Sequence, residues 1–117
     1  MEFLQPGPNL MTAAVLDKLV EDTIGRILSV VSAKQIFLFG SAVRGDLHEN
    51  SDIDLLVVVP NGMHRRSTAQ RIYRNLVGLP FGADIVVVTE EDVEKYHDTE
   101  GLIIREALAE GRLVYGG

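Results

Sequence analysis

Cysteine is missing from this 117-residue chain. That excludes disulfides and thiolate metal sites. Lysine is scarce, with only Lys18, Lys34 and Lys95. At a formal net charge of −6, the chain lacks the clustered positive charge that a long phosphate backbone requires, which argues against an extended nucleic-acid surface. Long apolar runs are missing too: none reaches the roughly 18 residues of a membrane helix, and Leu55–Val59 is stopped by Pro60. Met1–Leu10 has neither the basic start nor the apolar run of a secretory leader. A cytoplasmic location, with no membrane partner, is the expectation.

What is present suits a single compact domain. The hydrophobic share is 46% and the charged share 24%, ordinary for a globular protein and enough for a core. An acidic chain can still bind a small anion when a metal ion carried with it supplies the positive charge. A nucleotide fits that description better than a polynucleotide.

Pro6, Gly7 and Pro8 bar regular structure near the start, so residues 1–10 read as a flexible arm and 11–117 as the folded domain. From Met11 to Ser32, Val15, Leu16, Leu19, Val20, Ile24, Ile27, Leu28 and Val31 recur at helical spacing, with charge on the other side. Gly25 within this stretch costs about 1 kcal/mol relative to alanine. Gln35–Phe39 reads as a buried strand ending in a turn at Gly40 and Ser41, and Asp52–Val59 is the clearest strand in the chain. A helix is expected over His64–Val77, a loop over Gly78–Gly82 and a third strand over Ala83–Val88. Thr89 before three acids marks a helix start. A last helix is expected over Glu100–Glu110 with Gly111 as its cap, then a short edge strand at Leu113–Tyr115. Strands alternating with helices imply an α/β or α+β fold, a small mixed sheet flanked by helices.

The chemistry is concentrated in Phe39–Val59, FGSAVRGDLHENSDIDLLVVV. Asp52 and Asp54 are two apart, so on a strand they leave the same face, about 6.6 Å from one another along the chain. Ile53 and Leu55 face the other way, toward a core. Two carboxylates on an otherwise apolar strand repel each other and resist desolvation, and a bound cation relieves both costs. Two such ions about 3.5–4 Å apart are the usual clamp for in-line attack at phosphorus. The plainer alternative is that Ser51 and Asp52 form a solvated turn ahead of the strand; Asp54, between Ile53 and Leu55, does not share it. Gly40 lets backbone approach a ligand closely, Ser41 offers a hydroxyl and an amide, and a short helix starting near Ala42 would add partial positive charge.

Gly40-Ser41, ten residues, then Asp52-Ile53-Asp54 resembles the signature of the DNA polymerase beta-like nucleotidyltransferases, most of all their minimal (MNT) branch. The resemblance implies that Gly40 and Ser41 hold a triphosphate, with ATP the expected donor, while Asp52 and Asp54 hold Mg2+, two ions being expected. It implies a third carboxylate on a neighbouring strand that completes the metal site and activates the attacking hydroxyl; Asp84 stands in that place. Relatives often carry a basic residue after the serine, where this chain has Ala42; Arg44 is in a familiar position, as a phosphate contact or as an ion-pair partner of Asp46.

Minimal nucleotidyltransferases are commonly paired with a helical HEPN protein. The resemblance therefore implies an antitoxin that adenylylates a tyrosine of a HEPN toxin. Because the chain is barely larger than a catalytic core, part of the acceptor site is expected from a partner or from self-association. The competing expectations are an antitoxin that acts by binding alone, and transfer to a small molecule such as an aminoglycoside. His64, Arg65, Arg66, Arg71 and Arg74 form a basic cluster that either grips phosphate or an acidic partner or is simply a solvated helix side. His48 is a possible nucleotide contact between the two halves of the signature, His97 stands alone, and Tyr73, Tyr96 and Tyr115 read as packing residues.

Overall fold

The computed structural model describes residues 13–44 and 52–116. The expected N-terminal arm, Asp46 and His48 lie outside these residues. In chain order the elements are α1 (Ala13–Leu28), β1 (Gln35–Phe39), α2 (Ser41–Arg44), β2 (Ile53–Val59), α3 (Arg65–Arg74), β3 (Ala83–Thr89), α4 (Glu90–Tyr96), α5 (Ile103–Glu110) and β4 (Arg112–Tyr115). The sheet runs β3-β2-β1-β4. β1 pairs antiparallel with both β2 and β4, while β2 and β3 are parallel. The small mixed sheet flanked by helices is as the sequence implied.

β2 lies inside the sheet, and every one of its residues except Asp54 is buried. The sequence pointed to one core behind Ile53 and Leu55, but the structure has two. Ile53, Leu55, Val57 and Val59 pack with Ile36, Leu38, Ile85 and Val87 against α1 and α3. Leu56 and Val58 pack with Phe39 and Val88 against Ile104 and Ala107 of α5. A strand covered on both faces reads as a continuous apolar run because alternation has nothing polar to alternate with. The exception therefore stands out: Asp54 is the one charged residue of β2.

Several boundaries differ from the sequence expectation. α1 stops at Leu28, where Asn75 Nδ2 donates to the Arg26 carbonyl and to Ser29 Oγ, both at 2.8 Å. The same asparagine caps α3, which ends at Arg74 rather than Val77. Arg26 donates in return to the Val77 carbonyl. These contacts join two helix ends far apart in sequence, so no local pattern announces them. α5 begins at Ile103, because Thr99–Leu102 forms a turn. Gly111 does cap α5, with φ −82°.

Thr89 is both the last residue of β3 and the N-cap of α4. Its side chain accepts from the Asp92 amide while Asp92 accepts from the Thr89 amide, a reciprocal capping box. Arg65 of α3 adds an ion pair to Asp92 at 2.9 Å. Burial works to raise the pKa of Asp92, but the Thr89 hydrogen bonds and the Arg65 charge outweigh it and hold the carboxyl below its ordinary value. Thr89→Ala is expected to cost about 1 kcal/mol, a fall in melting temperature of roughly 4–8 °C, measurable by thermal denaturation.

Candidate functional site

The three aspartates come from two adjacent strands. In the parallel ladder Asp54 and Asp84 are register partners. They alternate with Leu56 and Val86, which belong to the α4–α5 side, so both carboxylates leave the sheet on that face. Asp52 falls one residue before β2 and is exposed. To that extent the solvated-turn reading of Asp52 is right, but its carboxylate is not loose in solvent.

Two glycines seat the carboxylates. At Gly82, a Cβ would lie 2.2 Å from Asp52 Oδ1; at Gly40, it would lie 2.3 Å from Asp54 Oδ2. Neither position can carry a side chain without displacing an aspartate. Gly40 also has φ +75°, a left-handed conformation that costs other residues free energy. It is the hinge between β1 and α2, and its carbonyl accepts from the amides of Val43 and Arg44. Because Phe39 pairs with Asp54 across β1 and β2, the Gly40–Ser41 turn is delivered beside the carboxylate.

Asp84 has a different support. The Tyr73 hydroxyl, reaching from α3, lies 3.3 Å from Asp84 Oδ1 and accepts from the Ile85 amide at 2.8 Å. Burial raises the pKa of this hydroxyl above its ordinary value; the Ile85 hydrogen bond offsets part of that, and the Asp84 charge adds to it. Tyr73 therefore keeps its proton at neutral pH. Read from the sequence as a packing residue, it is instead a polar contact of the site.

Electrostatically the cluster is strained. Burial pushes the Asp54 carboxyl above its ordinary value, the charges of Asp84 and Asp52 push it further, Arg44 opposes them and Glu106 adds to the rise. Among the described residues no three His, Cys, Asp or Glu side chains converge on a single point as they stand; each aspartate rests on its own support. The donor chemistry nonetheless fits a hard divalent cation, since the groups are anionic oxygens and like charge is what burdens Asp54.

Arg44 stands at the end of α2, and its charge reaches Asp54. Ala42, where relatives often carry a basic residue, is buried with the α1–α3 core, so this position packs. All five residues of the basic cluster are exposed, but three of them have partners within the fold. Arg65 is paired with Asp92, Arg71 donates to the Val30 carbonyl, and His64 accepts from the Ser67 amide as the cap of α3. A cleft of about 400 Å³ between α1 and β4 is lined by Asp17, Val20, Glu21, Ile24, Arg112 and Val114, and by none of Asp52, Asp54 and Asp84.

The fold and the carboxylate-bearing strands define a class. Residues 20–114 match the nucleotidyltransferase domain family, and the chain belongs to it. Its structure is similar to that of a Sulfolobus solfataricus protein assigned as a nucleotidyltransferase (TM-score 0.60, 21% identity, 94% of this chain and 93% of that one). It is also similar to a chain of a toxin–antitoxin crystallised with AMP-PNP (0.59, 21%, 86% and 73%), and to one of a toxin–antitoxin MntA–HpeT mutant (0.53, 19%, 92% and 75%). No curated protein matches in sequence. The resemblance to the nucleotidyltransferases holds for family and fold. No described helix is long and apolar enough to cross a membrane.

Proposed function

We propose that this protein transfers a nucleoside monophosphate, AMP from ATP, to a hydroxyl of a partner protein. The observation that carries the reading is the register of Asp54 with Asp84 beside the Gly40–Ser41 turn. Two carboxylates on neighbouring strands, next to a glycine that lets a phosphate chain approach, suit phosphoryl chemistry better than any other class.

In this reading Gly40 and Ser41 hold the β and γ phosphates through backbone amides and the Ser41 hydroxyl, with Arg44 as a further phosphate contact. Asp52 and Asp54 would hold two Mg2+ ions, with Asp84 as a third carboxylate ligand. Bound there, magnesium supplies charge neutralisation and alignment of the triphosphate. Asp84 Oδ takes the proton of the attacking hydroxyl. The new bond joins that oxygen to the α phosphorus, and pyrophosphate leaves.

Two structural neighbours are toxin–antitoxin chains, which supports a toxin as the acceptor. The partner we propose is a helical HEPN protein modified on a tyrosine, with this chain as its antitoxin. The test is incubation of the neighbouring gene's product with this protein, ATP and Mg2+, followed by intact-mass and peptide mass spectrometry. A gain of one or more nucleotide units on a tyrosine is expected. An unmodified partner that is nevertheless neutralised would leave contact alone as the mode of action.

A further inference from the structure

We propose that Tyr73 is a positioning residue for the site, holding the Asp84 carboxylate in the orientation that receives a divalent cation; this rests on the reading of Asp84 given above. β3 is an edge strand, so one row of its backbone groups has no neighbouring strand to pair with. Tyr73 covers that edge at one point. Its oxygen accepts from the Ile85 amide at 2.8 Å, which fixes the oxygen in place. The single proton can then go to Asp84 Oδ1 at 3.3 Å or to the Ile85 carbonyl at 3.5 Å. The carboxylate is the nearer acceptor and, being charged, the stronger one.

The contact addresses a need peculiar to Asp84. Asp52 and Asp54 are backed by glycine seats, whereas Asp84 is exposed on the sheet's edge, where a carboxylate would otherwise sample several rotamers. The chemistry of the partner is also telling. A lysine or arginine there would add a positive charge competing with a cation for the same oxygens. A phenol fixes one oxygen and brings no charge. Residues that orient a metal ligand in this way typically contribute about 10–100-fold to metal affinity. Tyr73 is 41% exposed, so packing alone does not account for its placement.

The experiment is a titration with Mn2+ alone, followed by electron paramagnetic resonance of the free ion, on wild type, Tyr73→Phe, Asp84→Asn and the double variant. Phenylalanine keeps the ring and removes the hydroxyl, and thermal melting in EDTA reports whether the fold is intact. Tyr73→Phe is expected to weaken Mn2+ binding about tenfold, and to have little further effect in the Asp84→Asn background. In turnover, it should raise the Mg2+ concentration for half-maximal rate more than it lowers the saturated rate. Wild-type affinity in Tyr73→Phe, or an equal loss in both backgrounds, would overturn the proposal and leave Tyr73 as a strand-edge contact only. Unchanged binding in Asp84→Asn would instead bring down the reading of the site itself.

Discussion

Asp54→Asn is expected to lower nucleotidyl transfer by about 10³-fold while raising the melting temperature of the metal-free protein. The first effect would follow from the loss of a ligand to the magnesium that aligns and neutralises the reacting phosphates, a contribution of several kcal/mol, with each 1.36 kcal/mol a factor of ten. The second follows from the burden that Asp54 carries. Burial and the charges of Asp84 and Asp52 raise its pKa in the folded state, so the folded protein holds the proton more readily than the unfolded chain does. The contribution of Asp54 to stability is then greatest below the unfolded pKa and is lost as pH rises through the folded one. Asparagine has no charge to lose. Melting in EDTA at pH 4 and pH 7 should therefore show a smaller decline with pH in Asp54→Asn than in wild type. A variant that is inactive and also less stable would mean that Asp54 supports the fold, contrary to the electrostatics. The Asp52→Asn, Asp54→Asn double variant separates catalysis from contact: full neutralisation of the partner by it would sink the enzymatic reading.

Gly40→Ala should damage the site through a single methyl group. The backbone conformation costs about 1–2 kcal/mol for a residue with a Cβ, and the added carbon would fall 2.3 Å from Asp54 Oδ2. Something must move, and the nearest movable group is the carboxylate. A displacement of about 1 Å at a reacting centre costs about 10²-fold in rate, so activity should fall by that order. The melting temperature should drop by roughly 4–8 °C for each kcal/mol. Steady-state kinetics at saturating Mg2+, read beside melting curves, checks both, and an active, stable alanine variant would remove Gly40 from the site.

These two positions show what the sequence could disclose. Asp54 was legible because its signal is local: a charge between Ile53 and Leu55 breaks an apolar run at strand spacing. The Gly40-Ser41 turn was legible for the same reason, closing a strand with residues of known habit. Gly82 was not, since it read only as the end of a loop, and nothing local says that it lies under Asp52. Tyr73 was missed more completely. It lies on a helix at a spacing that suits packing, and its bond to Asp84 exists only because α3 lies along the edge of β3. The early end of α3 has the same origin, with Asn75 answering to α1 rather than to its neighbours. Periodicity reports which face a residue occupies; it does not report who waits on the other side.

The pairing of Asp54 with Asp84 has a consequence for how such a chain can vary. A residue added at the exposed Gly78, between the two strands, leaves each aspartate in its place on its own strand. One residue added between Asp84 and Ile85 does something else. With the rest of β3 anchored, the extra step turns Asp84 to the opposite face, toward the α1–α3 core. Tolerance to insertion should therefore be sharply uneven along the chain, generous at Gly78 and nil in the ladder. The site is specified by phase rather than by distance along the sequence: the carboxylates must arrive in step, whatever the path between them.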